Sequence, residues 1–450
     1  MTASRPAPPP VPGGGEAPEA RGAVADGLAA GPARAPWPAR RLFPVLATVT
    51  LIAIAMGSTT WWAPLITGAH GWPLPDDLWA TLAATQRLAH LDLSGLYTPP
   101  TGLVSFPGAA VILVPVTAII DAAGISLQVP GVHNPHPAAW LVAGPYQVAL
   151  SCVALFAADA IAERLGAGRP KRALLATASA TTLWCVSVQW GHPEDAVAVG
   201  LLLYGILALS QAKTIRSAWL IGAAVAVQPL VLIALPMLLV IIEPRRLAGF
   251  LARAAAPSVV LLAAAAAANW SATIHAVTSQ PNWPKVDHPT PWTSIAPRLA
   301  HGAVAAGPGR ILAIVVACGC AIIVGQRWRA VRRAASWSPE TLEEVLWWTA
   351  AVLALRSVFE SVMVAYYLWP VLAVALIAAV RSWPRLIATS AAAVTITFAS
   401  QAPWHGPWAW WAPMVAGLGL TLLLARLPLR RGAAEAALPA SAGQAWMTSV

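Results

Sequence analysis

The sequence predicts an all-α polytopic membrane protein, and three observations carry that prediction. The 450 residues are 58% hydrophobic and only 10% charged, whereas soluble domains carry about 25% charged residues. Apolar runs approaching the roughly 20 residues that a membrane-crossing helix needs recur from residue 42 to residue 424. The Lys and Arg behind a net charge of +10 fall in short clusters between those runs, as the positive-inside bias asks of cytoplasmic loops. The charge therefore reports topology, and no nucleic-acid partner is expected. Cys152, Cys185, Cys318 and Cys320 all lie inside apolar segments, which argues against a disulfide framework or a thiolate metal site.

Taken in order, residues 1–41 are rich in Pro, Ala, Gly and Arg without apolar periodicity and read as a disordered cytoplasmic tail; 432–450 reads as a second. The first apolar run starts at Leu42, after Arg34, Arg40 and Arg41, too far along for a cleaved signal, so 42–61 is an uncleaved anchor. The polar stretch 62–137 follows as a large first external loop of a membrane domain covering 42–431. Inside that loop, 106–120 is apolar but opens Phe106-Pro107-Gly108 and contains Pro115, so it is expected to lie along the interface or re-enter rather than cross.

Further spans are expected at 138–161, 173–188, 196–209, 218–242, 255–275, 311–325, 342–355, 362–380, 386–400 and 410–424. The basic clusters at 164–172, 213–216, 245–253, 327–333, 381–385 and 426–431 share one side only if 218–242 is two half-spans. Val227-Gln228-Pro229 offers the break, because proline removes a backbone donor and disfavours helix in the residue before it. With that repair most of the 28 Lys and Arg fall inside, all nine histidines fall outside or at the outer boundary, and many tryptophans gather there as an aromatic belt. Both termini are then cytoplasmic.

On this topology the outer face collects Asp76, Asp77, Asp92, His192, Glu194, Asp195, Lys285, Asp287, His288, Arg298, Arg356, Glu360, Tyr366 and Tyr367. Arg356 and Glu360, four apart on one helix face, should pair or line a wet cavity, since ionisable groups at membrane depth are costly. Glu194 and Asp195 open a span, where capping and the helix dipole account for them as readily as chemistry does. Asp76 and Asp77 follow Pro75 and precede a helix-like run, 78–88. One carboxylate suffices for a cap, which leaves the other for different work. His133 and His136, across a proline turn with no third ligand nearby, are weak grounds for a metal.

The order of these features resembles a known family. A first span at Leu42 is followed by an external Asp, a helix, Gly95-Leu96-Tyr97 and a Phe106-Pro107 turn. Gly191-His192-Pro193-Glu194-Asp195 and Val227-Gln228-Pro229-Leu230 come next. The order is similar to that of the GT-C superfamily of polytopic glycosyltransferases, and above all to the bacterial polyprenyl-phosphate-mannose-dependent mannosyltransferases of the alpha-1,2 type. The likeness spans roughly 42–246 and reaches a later helix through Tyr366-Tyr367-Leu368-Trp369-Pro370. Trp79 and Thr81 stand where members often carry Tyr, His192 and Glu194 interrupt a Gly-Gln-x-Asn pattern, and Gln228 replaces a Lys before Pro.

The resemblance implies a bundle of about 10 to 13 transmembrane helices with the catalytic Asp in the first external loop, which maps to Asp77 or, second, Asp76. The implied reaction is inverting transfer of mannose, or alternatively arabinose, from a polyprenyl phosphate to a hydroxyl of a lipid-linked or cell-envelope glycan, with the Asp as general base. Lys285, Arg298 and Arg356 are the cations available to the leaving phosphate, and His192, Glu194, Asp195, Gln228, Glu360, Tyr366 and Tyr367 complete the expected substrate-binding set. The expected partners are the lipid-linked donor, the lipid or glycan acceptor and membrane lipids. No cofactor is expected and a divalent-metal requirement stays open. The alternatives are a transporter or flippase for a lipid-linked intermediate, and a non-catalytic partner of a glycan-assembly complex.

Overall fold

The computed structural model describes residues 36–57, 76–98, 103, 105–127, 138–328, 337–402 and 406–427. The chain forms two units, Met1–Arg40 and Arg41–Val450. The described part of the first includes one helical turn, Trp37–Arg40; most of the predicted tail at 1–41, all of that at 432–450, and His133 and His136 lie outside the described residues. The described residues of the second unit are mostly helical.

It opens with α1 (Leu42–Gly57). The stretch after it holds α2 (Asp76–Ala89), α3 (Gly108–Val111) and α4 (Val114–Ala122). Leu78 and Leu82, four apart on one face of α2, bury against Leu113, Val116 and Ile120. Two short helices take the place of a span at 106–120. Nine residues of α4 rise about 14 Å, against a hydrocarbon core of about 30 Å.

The bundle continues with α5 (Ala139–Arg164), α6 (Arg169–Trp184) running into a π turn at Cys185–Gln189, α7 (Pro193–Ser210) and α8 (Thr214–Val227). A 3-10 turn, Pro229–Ala234, leads to α9 (Leu235–Leu239). After it come α10 (Pro244–Ala268), α11 (Trp270–Ser279), β1 (His288–Pro289) and α12 (Gly309–Arg327). The last part is α13 (Pro339–Phe359), β2 (Val362–Met363), a 3-10 turn at Ala365–Leu368, α14 (Trp369–Ala378), α15 (Trp383–Ala399) and α16 (Pro407–Arg426).

Five of these, α5, α7, α10, α12 and α16, are long and apolar enough to cross a membrane. Helix α7 is buried over 83% of its apolar window, against 22% for α10, and every residue of α14 is buried. Helices apolar all round belong at the centre of a bundle. The apolar outer faces of α10 and α12 are left for lipid.

Three expectations need correction. The predicted span 362–380 is an extended pair with β1, a 3-10 turn and a ten-residue helix, because hydropathy records burial and not backbone shape. The span placed at 255–275 begins much earlier, at Pro244, and stops at Asn269, whose φ of −154° breaks the helix while its side chain caps α11. Arg245, Arg246 and Arg253 thus lie on the helix rather than in a loop. Arg41, assigned to the tail, belongs to the folded unit: its guanidinium contacts Asp159 at 2.7 Å and Glu163 at 2.8 Å.

Paired charges mark one end of the bundle. Arg172 and Arg41 converge on buried Asp159, Arg381 reaches Glu340 and Glu343, and Arg385 reaches Glu343 at 2.6 Å. The Trp337 amide donates to the Ser210 carbonyl there. At the opposite end the π turn, the start of α7, the end of α8, the start of α12 and the end of α13 converge. The turn into α3 lies on this end too, since a Cβ at Gly108 would sit 2.2 Å from the Ala226 carbonyl.

Candidate active site

The site begins at a break in the backbone. Helix α8 stops at Val227, and Gln228 is extended (φ −147°, ψ 113°) ahead of Pro229, the conformation that a following proline favours. The Gln228 amide donates to Asp195 Oδ1 at 2.6 Å, while Asp195 Oδ2 is buried without a hydrogen-bond partner among the described residues.

The neighbouring helix start carries the second half. Pro193 fits the first position of α7, where its missing N–H costs nothing. His192 stands at the cap position with no side-chain capping bond. Glu194 turns back to His192 Nδ1 at 2.6 Å, and Nε2 on the far side of the ring meets Asp77 Oδ2 at 2.9 Å. The acidic residues of this first turn are therefore engaged sideways, not as caps. An imidazolium has two N–H donors and satisfies both carboxylates at once.

From His192 the contacts run inward. Its ring stacks on Tyr366 with centroids 4.0 Å apart, Tyr366 meets Tyr367 edge-on at 4.8 Å, and the Arg356 guanidinium lies 3.8 Å above the Tyr367 ring, a cation–π distance. Arg356 Nε is 3.5 Å from Glu360 Oε2, but Glu360 is the residue after the helix, extended at ψ 142°. The pair therefore does not rest on one helical face as expected. The stronger partner comes from elsewhere: Arg310 Nε donates to both Glu360 oxygens, at 3.1 and 2.9 Å, and Arg310 Nη1 donates to Gln280 Oε1. Gly309 permits this, since a Cβ there would lie 1.9 Å from the Phe359 carbonyl. Glu360 is fully buried between two cations, and Arg356 Nη1 is buried with no partner among the described residues.

A segment between α11 and α12 covers this end. Strand β1 pairs with β2, the Thr290 hydroxyl donates to the Glu360 carbonyl at 2.7 Å, the Trp292 indole donates to the Val358 carbonyl, and His288 stacks on Trp410 at 4.3 Å. Asp287 is thereby held within electrostatic reach of Asp77 and His192.

Charges here reinforce one another. Burial pulls the His192 imidazole down, but Glu194 and Asp77 on its two nitrogens outweigh it and lift the pKa from 6.5 to about 10. For Asp77, burial acts upward and the His192 contact acts downward, and the carboxyl ends below its usual value of 3.8. Its side chain keeps 58% of its surface exposed, so solvent moderates that shift. Asp287 is pushed the other way, to about 6, first by burial and then by Asp77. Asp77 and Asp287 are thus pushed in opposite directions, the first toward its ionised form and the second toward its protonated form.

A cavity of about 390 Å³ lies against part of this network. His192, Glu194, Gln228, Arg310, Arg356 and Tyr367 supply its polar wall, while Phe106, Pro229, Leu230 and Ile233 are among its apolar lining. Of the residues singled out in the sequence, Asp77, His192, Glu194, Asp195, Gln228, Arg356, Glu360, Tyr366 and Tyr367 come together in this network. Lys285 and Arg298 do not: both are exposed and neither lines the cavity. Asp76 begins α2, and its side chain lies outside the described residues. Arg310 and Gln280 were missed. Arg310 left one trace, a basic residue at the end of its span opposite Arg327 and the other basic clusters, an arrangement the positive-inside bias disfavours; Gln280 left none.

No model of a known protein family matches the chain, and no curated protein matches it.

Proposed function

We propose that this chain is a membrane glycosyltransferase of the GT-C kind. It would move a sugar, mannose being the first candidate, from a polyprenyl-phosphate donor to a lipid-linked or cell-envelope glycan at the outer face. The observation that carries the reading is the Asp77–His192–Glu194 line, of which His192 and Glu194 line a cavity together with Arg310 and Arg356. It supplies a fixed, ionised carboxylate where an acceptor hydroxyl would arrive and two cations where a phosphate would depart.

In the proposed step the acceptor oxygen bonds to the sugar C1 as the bond from C1 to the phosphate oxygen breaks. The acceptor proton passes to Asp77 as general base. His192 occupies Oδ2 of that carboxylate and turns Oδ1, which has no partner among the described residues, toward the acceptor. The lipid phosphate leaves with the electron pair, and Arg356 Nη1 is the donor available to meet its charge. Glu360 holds both guanidinium groups in position.

The same reading places both termini in the cytoplasm of a cell-membrane protein with about 10 to 13 crossings, the helices α1, α6, α8, α13, α14 and α15 and the 229–239 segment crossing beside the five that are long and apolar enough by themselves. Purified protein in vesicles, supplied with a radiolabelled polyprenyl-phosphate sugar and a glycolipid acceptor, should give a labelled product of higher mass. If the labelled lipid moves between leaflets without transfer, the flippase reading replaces this one. If it does neither while the protein captures glycan-assembly proteins, the non-catalytic reading does.

A further inference from the structure

At the end opposite the candidate active site, helices α8 and α10 start side by side and enclose a second cleft of about 760 Å³. Its lining includes Lys213, Arg216, Arg245, Arg246 and Arg253. The one acid close by in sequence, Glu243, is engaged by Arg246 at 3.0 Å. Lys213 reaches only Gln211, and Arg253 reaches the Gly249 carbonyl of its own helix. The guanidinium groups of Arg216 and Arg245 have no hydrogen bond or ion pair among the described residues. Neither helix start has a side-chain cap, so the positive dipole ends add to the same field.

The surroundings of the cleft choose between anions. On α8, Ile215 at the cleft is 62% exposed and Trp219, one turn further on, is 49% exposed, and Val259 and Val260 are exposed further along α10. The charged cleft therefore runs into an apolar outer surface, which a soluble anion would leave uncovered and which acyl chains would cover. The bias toward basic cytoplasmic loops accounts for the sign of this charge, but not for its gathering round one cleft with uncapped helix starts.

We propose that the cleft between α8 and α10 binds the phosphate of an anionic phospholipid headgroup, with Arg216 and Arg245 as its principal donors and Trp219 against the acyl chains. Basic recesses between membrane helices suit such headgroups. The proposal is independent of the glycosyl-transfer reading.

The test titrates the full-length protein in detergent with phosphatidylglycerol or phosphatidylcholine and follows bound lipid by native mass spectrometry. Phosphatidylglycerol should bind more tightly than phosphatidylcholine, and R216Q/R245Q should weaken it roughly thirtyfold with melting unchanged. R169Q/R327Q, which removes equal charge from exposed sites at the same end outside the cleft, should leave affinity nearly as in wild type. Trp219→Ala provides a second handle, weakening the lipid without altering binding of soluble glycerol phosphate. Equal losses in the two arginine doubles would reduce the effect to a diffuse field and overturn the site. An unaffected R216Q/R245Q overturns it as well. Glycerol phosphate displacing phosphatidylglycerol at matching concentration would assign the cleft to a soluble anion and overturn the lipid.

Discussion

At the scale of single residues, His192 ties stability to pH. Its folded pKa of about 10 lies above the ordinary 6.5, so its contribution is complete below 6.5 and is lost as pH rises through 10. Asp77 runs the other way: its lowered carboxyl contributes above 3.8 and stops contributing as acid protonates it. Wild type should therefore lose melting temperature between pH 7 and pH 10, and His192→Gln should lose less over that window. Parallel curves for the two proteins would contradict the assignment. Glu360→Ala removes the shared partner of two arginines from a fully buried position, and breaking a buried ion pair costs about 3–5 kcal/mol. A chemical or thermal melt of the variant checks that figure, and a loss under about 1 kcal/mol, the range of surface pairs, would contradict it. Much of this network could be read in advance because polar residues are scarce in an apolar chain, so Asp77, His192, Glu194, Gln228 and Arg356 stand out by type alone. Lys285 and Arg298 stand out equally but are exposed and do not line the cavity, since composition records that a cation is near the boundary and not which way it faces.

At the scale of elements, local chemistry was readable and long-range packing was not. The break at Gln228 followed from Pro229, and the non-crossing stretch at 106–120 followed from its prolines and its length. The pairing of β1 with β2 had no local sign, because residues 288–289 and 362–363 are far apart in sequence and each pair is too short to show periodicity. Arg310 was hidden for the same reason: its partner Glu360 is set by the approach of α12 to α13 at Gly309. Gly309→Ala tests that approach. A methyl group 1.9 Å from the Phe359 carbonyl must push the helices apart, and overpacking of this kind costs about 1–3 kcal/mol. The variant should melt lower and transfer sugar more slowly through loss of the Arg310–Glu360 contact. Wild-type melting and turnover would show that the helix ends accommodate the methyl group and that the site does not depend on their spacing.

At the scale of the whole molecule, charge divides the bundle. The ion pairs of Arg41, Arg172, Arg381 and Arg385 lie at one end, and the Asp77–His192–Arg356 network lies at the other. The positive-inside bias turns that division into an orientation. In a background lacking the exposed Cys318, an impermeant thiol reagent applied to intact cells should label Ser94→Cys and Ser279→Cys but not Ser338→Cys; labelling at 338 alone would invert the molecule and place the cavity in the cytoplasm. The central claim is that Asp77 takes the acceptor proton, and single-turnover transfer by the purified Asp77→Asn protein tests it most directly. Asn preserves size and capping ability but takes no proton at neutral pH, so the rate of the chemical step should fall by about a hundredfold to ten-thousandfold while melting stays near wild type. An Asp77→Asn protein that transfers sugar at the wild-type rate would contradict the account.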